Sequence, residues 1–470
     1  MKTPAFDYED EDEDEHDCGA LAWQRTAASG TDRASMKIIL ITPGTGSYYC
    51  GVCMRDNALA TELIRQGHDA LMVPLYLPLQ LDEAPASPNA PTFFGGINVY
   101  LQERFSIFRH TPRWLDRVFD LPGFLKMAGQ RQGNANSEVI GRTTCSMLQG
   151  EQGHQRKELR RLVRWLKAQE KPDAIWLSTM LLTGFARELK RELGVPVLAS
   201  LQGEDEFLDG LPKPWNRRAW EIVIERSGDV DLFISPSRFY TKLMTGRMRL
   251  RPEQLRLIPN GISAAGYGEP APPPSPPVIG YLARMREEKG LGLVVEAFIM
   301  LKNRPGFESV KLRVAGAMIA ADEVYVGKLK AELAAAGLAN AVEFLPNIDR
   351  DEKVRFLKGL TLLSVPATYP EAFGLYVIEA WAAGVPVVQP RHAAFTELVE
   401  ATGAGRLFEA DRADELASEW SPYLASPDVA REAGLRGREA VLHGDYSIAR
   451  MAENFLTATR DVMNVPATAS

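Results

Sequence analysis

From residue 36 onward, short runs rich in β-branched residues alternate with stretches whose apolar residues recur at helical spacing. This alternation is typical of βαβ units that build a parallel sheet. The first helix is predicted at 55–65. We interpret residues 75–150, which interrupt the pattern with prolines and an aromatic cluster, as an insertion or an acceptor lid. The predicted strands of the first half lie at 37–42, 70–74, 174–177, 196–200 and 231–234.

A second series of the same kind follows residues 271–277, which read Ala-Pro-Pro-Pro-Ser-Pro-Pro. This composition favours polyproline II and excludes both a helix and a central strand, so the segment is predicted to be a linker. The alternation then continues through Val388. The elements predicted in it are strands at 278–282, 311–315 and 342–344 and helices at 291–302 and 322–336.

The pattern predicts an α/β fold with two doubly wound, Rossmann-like domains that face each other across a cleft. We place the first domain at 36–268, the linker at 269–277 and the second domain at 278–445. Residues 446–470 contain one more helical stretch, and the sequence leaves open whether it returns to the first domain. Because ligands bind at the carboxyl ends of parallel strands, we expect the chemistry in the strand-to-helix loops.

The negative charge is concentrated at one end of the chain. Residues 1–35 hold ten acidic and three basic side chains, which equals the whole formal net charge of −7. The remaining chain is neutral and has no field to hold nucleic acid, so we predict no nucleic-acid partner. The acidic block at 7–17 repels itself and buries nothing. We therefore predict a disordered tail over 1–35, with Met36 as an alternative start.

The cysteine content and the hydropathy bear on the compartment. Four cysteines in 470 residues are too few and too unevenly spaced for a secreted disulfide scaffold. No basic stretch followed by an apolar run opens the chain, and it has no run of about 18 uncharged apolar residues. We expect a cytoplasmic protein.

The strongest chemical signal is the segment 371–379, which reads Glu-Ala-Phe-Gly-Leu-Tyr-Val-Ile-Glu. Pro370 and Gly374 place the first glutamate in a loop just before a helix, where the N–H groups of the first turn can hold an anion such as a diphosphate. Carboxylates are good acceptors for the hydroxyl groups of a sugar or a ribose. The alternative is two solvated glutamates on an ordinary amphipathic helix.

This segment resembles the retaining nucleotide-sugar glycosyltransferases of family four, which have the GT-B fold and a Glu-x7-Glu motif followed by a Gly-x-Pro-Val strand. The resemblance extends from residue 36 to about 458 and is densest between 278 and 407. It implies that Glu371 binds the donor sugar and that Glu379 binds the ribose. The backbone that it places at the phosphates belongs to Phe373, Gly374 and Leu375.

Cations follow the first strand of the second domain, between Gly280 and Gly290. A leaving nucleoside diphosphate gains negative charge, and without a metal the protein must supply the compensating positive charge. Arg284 and Lys289 match the arginine and the lysine with which the family holds the diphosphate, and no metal or other cofactor is implied. The alternative is a surface loop of mixed charge, and Arg286 has no predicted role.

Three weaker segments resemble other parts of the family's cleft. Asn260 and Gly261 stand at the family's domain junction, and residues 235–237 resemble a loop that lines the cleft. The glycine-rich loop that contains Gly46 resembles the flexible loop near the acceptor and the diphosphate. Taken alone, each segment is equally typical of a scaffold turn.

The glycine-rich loop ends in Cys50-x-x-Cys53, which departs from the family's pattern. A helix N-terminus lowers the pKa of a thiol, so a redox role is one interpretation and two small packed thiols are the other. A structural zinc site needs four ligands, and the sequence offers no second close pair of Cys or His residues. We predict no metal site.

A second departure lies at Gln202, where the family has a histidine that contacts the donor sugar. Glutamine forms hydrogen bonds but cannot exchange a proton at neutral pH. Either Gln202 serves the sugar by hydrogen bonding alone, or Glu204 or Asp205 takes over the polar role. Because the family passes the acceptor proton to the leaving phosphate, loss of the imidazole need not abolish catalysis.

The helix predicted at 156–167 carries leucine and valine on one face and six basic residues opposite. Such a helix lies on anionic lipid or packs on its own domain. Trp114, Phe119 and Phe124 nearby in the sequence favour the first interpretation. Peripheral contact with the inner face of the membrane is therefore an alternative to a purely cytoplasmic location.

These residues predict a hexosyltransferase-like enzyme of carbohydrate biosynthesis. It would move a sugar from a nucleotide-sugar donor to a hydroxyl acceptor with retention of configuration. A non-catalytic protein that binds a nucleotide-sugar or a glycan with the same fold is the alternative, and Gln202 motivates it. A phosphorylase-like use of the cleft is a further alternative, although the sequence shows no lysine motif for pyridoxal phosphate.

Overall fold

The structure, a computed structural model, describes residues 35–44, 51–76, 81, 83–88, 93 and 137–464. These residues form two six-stranded sheets in which all neighbouring strands are parallel. The strands of the first sheet are β1 (Lys37–Thr42), β2 (Asp69–Pro74), β3 (Ala174–Leu177), β4 (Val197–Ser200), β5 (Leu232–Ser235) and β6 (Leu255–Leu257). The strands of the second sheet are β7 (Val278–Leu282), β8 (Lys311–Gly316), β9 (Val342–Pro346), β10 (Leu362–Leu363), β11 (Val387–Pro390) and β12 (Gly405–Phe408).

Helices alternate with these strands along the chain. The helices of the first half are α1 (Gly51–Arg65), α2 (Ser137–Leu148), α3 (Arg156–Ala168), α4 (Ala186–Leu193), α5 (Glu204–Asp209), α6 (Trp215–Arg226) and α7 (Arg238–Met248). The helices of the second half are α8 (Leu291–Lys302), α9 (Glu323–Ala335), α10 (Arg350–Lys358), α11 (Leu375–Ala382), α12 (Ala393–Thr402), α13 (Ala413–Ala425) and α14 (Pro427–Leu442). A last helix, α15 (Ile448–Met463), follows them.

Each sheet reverses its strand order once. The first sheet has the order β2-β1-β3-β4-β5-β6, and the second has the order β12-β11-β10-β7-β8-β9. The loops after the two strands at a reversal run in opposite directions and leave a crevice between them. The fold therefore has one crevice after β1 and β3 and another after β7 and β10. The predicted doubly wound α/β fold is confirmed.

Most predicted strands are confirmed to within one or two residues, but β6 and β12 were not predicted. Both are short and partly exposed edge strands with an arginine in them, so they lack a clear apolar run. Most of the segment 75–150 lies outside the described residues, so its interpretation as an insertion or an acceptor lid stays a prediction; its last helix, α2, packs on α6 of the same domain. Gly141 permits this contact, because a Cβ there would lie 2.5 Å from Cβ of Trp215.

Apolar side chains cover both faces of the first sheet. Side chains of successive strand residues point to opposite faces, so Ile39 and Ile41 of β1 join one core while Ile38 and Leu40 join another. All six residues of β1 are buried. This is the pattern of a parallel strand that is covered by helices on both sides, and it explains the continuous apolar run in the sequence.

Helix α15 forms part of the core on one face of the first sheet. Its Phe455 stacks on Trp176 of β3 with ring centroids 3.9 Å apart, and both side chains are buried. The chain reaches this position through a short parallel bridge in which Ile262 pairs with Ser447. The last helix therefore packs on the first half of the protein after the chain has completed the second half.

The basic helix α3 also packs on its own domain. Its apolar side chains, Leu159, Leu162, Val163 and Leu166, are all buried in a core of the first half. This favours the packing interpretation of its amphipathic pattern, since the apolar face already has a partner. In the part of the chain that the structure describes, no helix is both long and apolar enough to span a membrane.

Polar contacts fasten the second half onto helix α7 of the first half. The Glu397 carboxylate accepts hydrogen bonds from the backbone N–H groups of Arg238 at 3.0 Å and Phe239 at 3.2 Å. Ser237, the residue before the helix, donates its hydroxyl to the carbonyl of Ala372 at 2.7 Å. A carboxylate is stabilised at a helix N-terminus, where the first N–H groups have no partner within the helix. We call this contact the Glu397 clamp.

Phe455→Ala is expected to destabilise the first domain by about 3–5 kcal/mol, because it removes a buried ring and leaves a cavity beside Trp176. Urea unfolding followed by tryptophan fluorescence would measure the loss. Met463→Ala, a truncation at an exposed position of the same helix, should change the unfolding free energy little. Equal unfolding curves for Phe455→Ala and the wild type would contradict the packing of α15.

Glu397→Ala is expected to widen the cleft, because the first N–H groups of α7 lose a partner worth about 1 kcal/mol. Small-angle X-ray scattering should give a larger radius of gyration for this variant than for the wild type. Glu400→Ala is the matched control, since Glu400 forms only an exposed ion pair with Arg391 within the second half. Identical radii for all three proteins would argue against the clamp.

Candidate active site

The crevice after β7 and β10 gathers most of the residues singled out in the sequence. The loop after β7 carries Arg284 and Lys289, and the loop after β10 carries Glu371 and leads into α11. The two strands pair directly, with Gly280 opposite Leu363, so their loops leave the sheet side by side. Residues 82 positions apart in the sequence meet here for that reason.

An ion pair between Lys289 and Glu371 joins the two loops. Lys289 Nζ lies 2.7 Å from Glu371 Oε2, with 21% of the lysine side chain and 16% of the glutamate side chain exposed. Lys289 also donates to the hydroxyl of Tyr369 and lies 4.6 Å from the centroid of its ring. The cation is thus held at the crevice by a carboxylate and an aromatic face, two partners that favour positive charge.

Two tyrosines complete the surroundings of Glu371, and the sequence analysis did not single them out. Tyr376 donates its hydroxyl to Glu371 Oε2 at 3.3 Å. Burial raises the pKa of Tyr369 and Tyr376, and the neighbouring Glu371 carboxylate raises both further. Both side chains therefore stay protonated as hydrogen-bond donors. The sequence could have indicated them, because Tyr369 stands two residues before Glu371 and Tyr376 five residues after it.

Arg284 lies in the same loop as Lys289 but contacts a different carboxylate. Its Nε donates to Asp322 Oδ2 at 3.3 Å, and 38% of its side chain remains exposed. Asp322 is nearly buried and also accepts from the backbone N–H of Ile319 at 3.0 Å. This places a guanidinium at the rim of the crevice with exposed N–H groups. Arg286 pairs with Glu288 at the surface.

Helix α11 begins at the crevice with Gly374 in the left-handed conformation, at a φ of +88°. A Cβ at this position would lie 2.9 Å from the ring of Phe395, so no larger residue fits. The side chain of Phe373 is buried in the core of the second half, which leaves only its backbone for a ligand. The N–H groups at the start of the helix, from Leu375 onward, lie at the crevice, where a helix N-terminus favours an anion; their binding of a diphosphate stays a prediction.

Glu379 lies one turn further along α11 and pairs with a lysine that the sequence analysis missed. Lys353 Nζ of α10 is 2.8 Å from Glu379 Oε1, and both side chains are less than one fifth exposed. Glu379 and Lys353 line a cavity in the cleft together with Leu375. Residues of the first half, Arg55 among them, line the same cavity.

Asn260 and Gly261 lie at the junction of the two halves. Asn260 is buried, and the backbone N–H of Gly261 points at Sδ of Met451 at 3.1 Å. A Cβ at Gly261 would lie 2.4 Å from the carbonyl oxygen of Ser447. The glycine therefore permits the close approach of the segment that leads into α15, and it also lines the cleft cavity.

Gln202 is partly buried in the loop after β4, and its backbone N–H donates to Glu204 Oε2 at 2.6 Å. Glu204 is buried and accepts further hydrogen bonds from the hydroxyl of Thr179 at 2.5 Å and the N–H of Met180 at 3.0 Å. Burial raises the pKa of Glu204. Its carboxylate fixes the loop from within, so Glu204 has a positioning role. Asp205 accepts a hydrogen bond from Tyr240 at 2.8 Å.

Glu206 is a further carboxylate of this loop that the sequence analysis missed. It lies in the first turn of α5 and is exposed, and partial desolvation raises its pKa while Lys289 lowers it and Glu371 raises it. The two loops are close, since a Cβ at Gly203 would lie 3.5 Å from Cβ of Ala372. Glu206 is thus within electrostatic range of the Lys289–Glu371 pair. The sequence could have indicated this residue, because Glu206 stands only four positions after Gln202.

Part of the predicted site lies outside the described residues. Gly46 and Cys50 are in this group, as are the aromatic residues Trp114, Phe119 and Phe124. Cys53 is buried in α1, with Sγ 3.6 Å from Oγ1 of Thr42. Both interpretations of the cysteine pair remain predictions.

Comparisons with known proteins identify the family of each half of the chain. The model of the glycosyl transferase 4-like domain matches residues 54–261, and the model named glycosyl transferases group 1 matches residues 268–440. The chain is 31% identical over 196 residues to the lipopolysaccharide core biosynthesis mannosyltransferase LpcC of Rhizobium leguminosarum, which covers 42% of this chain and 50% of the relative. It is 25% identical over 291 residues to the D-inositol 3-phosphate glycosyltransferase of Segniliparus rotundus, with 58% of this chain and 62% of the relative covered.

Solved structures show the same fold over nearly the whole chain. Sucrose-phosphate synthase from Thermosynechococcus elongatus superimposes with a TM-score of 0.64 at 19% identity, covering 91% of this chain and 99% of that one. Anabaena HepE in complex with UDP gives a TM-score of 0.62 at 17% identity, covering 91% of this chain and 100% of that one.

The alignments to the curated relatives are shorter than those to the structures. The matched part of this chain spans about half the length of LpcC and less than two thirds of the S. rotundus relative. The two family models, by contrast, match adjacent parts that together make up most of this chain. Residues 54–261 therefore belong to the glycosyl transferase 4-like domains and residues 268–440 to the glycosyl transferases group 1, and the two domains together have the GT-B fold.

Proposed function

We propose that the protein transfers a hexosyl residue from a nucleotide-sugar donor to a hydroxyl acceptor, with retention of configuration. The observation that carries the proposal is the Lys289–Glu371 ion pair beside the N-terminus of α11, at the crevice after β7 and β10. Membership of the group 1 glycosyl transferases supports it. So does the binding of UDP by Anabaena HepE, which has the same fold.

In the proposed complex the diphosphate lies at the start of α11. There the first N–H groups of the helix and the positive end of its dipole stabilise an anion. Lys289 and the exposed part of Arg284 add two positive charges from the loop after β7. Once Lys289 has turned toward the bound diphosphate, both charges are in position before the leaving group gains charge, which favours electrostatic stabilisation of the transition state.

The carboxylates bind the hydroxyl groups on either side of the diphosphate. When Lys289 turns toward a phosphate, Glu371 is released from its ion pair and can accept hydrogen bonds from the donor sugar. Glu379, held by Lys353, accepts from the ribose in the same way. Gln202 serves the sugar from the first half as a hydrogen-bonding group without proton transfer.

The transfer itself needs no covalent step on the protein. The bond between the anomeric carbon and the diphosphate oxygen breaks as the acceptor oxygen bonds to the same face of that carbon. The acceptor proton passes to the departing phosphate oxygen. The positive charges of Arg284 and Lys289 take the part that a divalent cation plays in other phosphate chemistry, so we propose a reaction without a metal.

Nucleotide binding is expected to raise the melting temperature of the protein. A ligand at 100 times its dissociation constant stabilises the folded state by about 2.7 kcal/mol. A thermal-shift screen of UDP, GDP and ADP should give a shift with one of them that shrinks in Glu379→Ala. Glu432→Ala, the same change at an exposed surface position, should behave like the wild type. No shift with any nucleotide would count against the proposal.

Lys289→Ala is expected to lower the rate of donor turnover in EDTA by about 10²–10³, because one preorganised charge at the leaving group is lost. Glu371→Gln should also lower turnover, since an amide is a weaker acceptor for sugar hydroxyls than a carboxylate. Donor hydrolysis and transfer, followed by release of the nucleotide, measure both effects. Lys328→Ala on the exposed face of α9 is the control.

Two outcomes would contradict this proposal. Full turnover in both site variants would show that the pair is not at the leaving group. A wild type that binds a nucleotide but neither hydrolyses nor transfers its sugar would be a non-catalytic binding protein on the same fold.

A further inference from the structure

The crevice of the first sheet, after β1 and β3, contains polar side chains that the donor chemistry does not use. Arg55 and Asp56 lie in the first turns of α1, and Ser178 is the first residue after β3. The strand order reverses between β1 and β3, so these residues stand where open α/β sheets bind ligands. The side chains of Arg55 and Asp56 are each 1% exposed, and Ser178 is 1% exposed as well.

The Arg55 guanidinium is only partly satisfied. Its Nε donates to Asp56 Oδ1 at 2.9 Å, its Nη2 donates to the same oxygen, and its Nη2 lies 3.5 Å from the carbonyl oxygen of Ser178. Within the described part of the chain, Nη1 of Arg55 and Oδ2 of Asp56 are buried without a hydrogen-bond partner. The ion pair therefore leaves one donor of Arg55 and one acceptor of Asp56 without a hydrogen-bond partner among the described residues.

The hydroxyl of Ser178 is the third unsatisfied group. Burial raises the pKa of the Asp56 carboxyl, and Arg55 and the Ser178 hydroxyl partly offset this rise. The hydroxyl therefore lies beside Asp56. It still makes no hydrogen bond of normal geometry to the described residues. Buried polar groups in proteins are nearly always paired, and leaving one unpaired is unfavourable. Three such groups in one crevice indicate a ligand that supplies the partners.

The position of Arg55 connects these groups with the donor side. Arg55 lines the cleft cavity that Leu375 and Glu379 line from the second half. In the proposed function the second half binds the nucleotide-sugar. A ligand that the first half binds across the cavity from it is then the acceptor. Arg55 therefore links the crevice after β1 and β3, where Asp56 and Ser178 lie behind it, to the place where an acceptor is needed.

The charge of the cluster decides the chemistry of this ligand. Asp56 neutralises Arg55, because an arginine is always protonated and a buried cation without a counterion is strongly unfavourable. A phosphate or a carboxylate at Nη1 would be repelled by the Asp56 carboxylate. A donor, an acceptor and a hydroxyl side by side instead match adjacent hydroxyl groups, each of which both donates and accepts.

We propose that Arg55, Asp56 and Ser178 form the acceptor subsite and hold adjacent hydroxyl groups of a neutral polyol, such as an unphosphorylated sugar or cyclitol. This inference rests on the proposed function. It differs from the S. rotundus relative, whose name contains the phosphorylated compound D-inositol 3-phosphate. A buried Arg–Asp pair that serves only to fix α1 on β3 is the other explanation, and a variant of Ser178 separates the two.

The test is transfer by the full-length protein from the nucleotide-sugar that the thermal-shift screen selects. The acceptor panel consists of glucose, mannose, galactose and myo-inositol and the monophosphate of each. We expect transfer to a neutral member in preference to its phosphate. We also expect Ser178→Ala to raise the acceptor KM about fivefold to tenfold through the loss of one hydrogen bond. The donor KM and the rate of donor hydrolysis should stay at wild-type values.

Ser178→Ala suits this test because, among the described residues, the hydroxyl makes no hydrogen bond of normal geometry. Removing it takes from the fold only a weak contact with Asp56, so a structural role predicts an unchanged acceptor KM and at most a small fall in melting temperature. Asp56→Asn is the second variant. It keeps the shape of the side chain but not its charge, and it should raise the acceptor KM and shift the preference toward the phosphorylated acceptors. Ser227→Ala, remote from the crevice, is the control.

The outcomes separate the two proposals. Unchanged acceptor KM values in Ser178→Ala and Asp56→Asn, in a wild type that transfers, would overturn the subsite and leave the glycosyltransferase intact. A tenfold preference of the wild type for phosphorylated acceptors would also overturn it. A wild type that neither transfers to any member of the panel nor hydrolyses the donor would overturn the proposed function and the subsite with it.

Discussion

The reversal of strand order in two parallel sheets is the constraint on which the rest of this structure depends. Parallel pairing aligns the carboxyl ends of all strands at one edge, and the reversal opens a gap between two neighbouring loops at that edge. The inner strands β1 and β7 are buried on both faces, so they offer little room for groups that meet a ligand. The charged residues assigned to ligands in this account therefore lie at two crevices, one in each half.

The two crevices differ in how their charges are balanced, and this difference suits different ligands. In the second half, Lys289 and Glu371 are partly exposed and each can exchange its partner for a phosphate or a hydroxyl. Burying a charge without a partner is costly, so the ion pair keeps the cation in place until an anion arrives. In the first half, Arg55 and Asp56 are fully buried and keep each other neutral, which leaves only hydrogen-bonding groups for a ligand.

Sequence reasoning could predict those parts of the site that lie in one continuous segment. Glu371, Gly374 and Glu379 stand within nine residues, and the loop after a buried strand indicates where Lys289 emerges. The partners of these residues depend on strand order, which apolar periodicity does not contain. Lys353 meets Glu379 from another helix, and Ser178 meets Arg55 from a strand more than 100 positions away. Short edge strands such as β12 were missed for the related reason that they bury too little apolar surface to leave a pattern.

The central claim is that a nucleoside diphosphate binds between the loop after β7 and the N-terminus of α11. Hydrogen–deuterium exchange with and without the saturating nucleotide tests it directly, because it locates the ligand without a variant. The account predicts slower exchange at residues 283–290 and 371–379 and unchanged exchange in α13 and α14. Protection that spares both of these segments while the nucleotide is bound would contradict it.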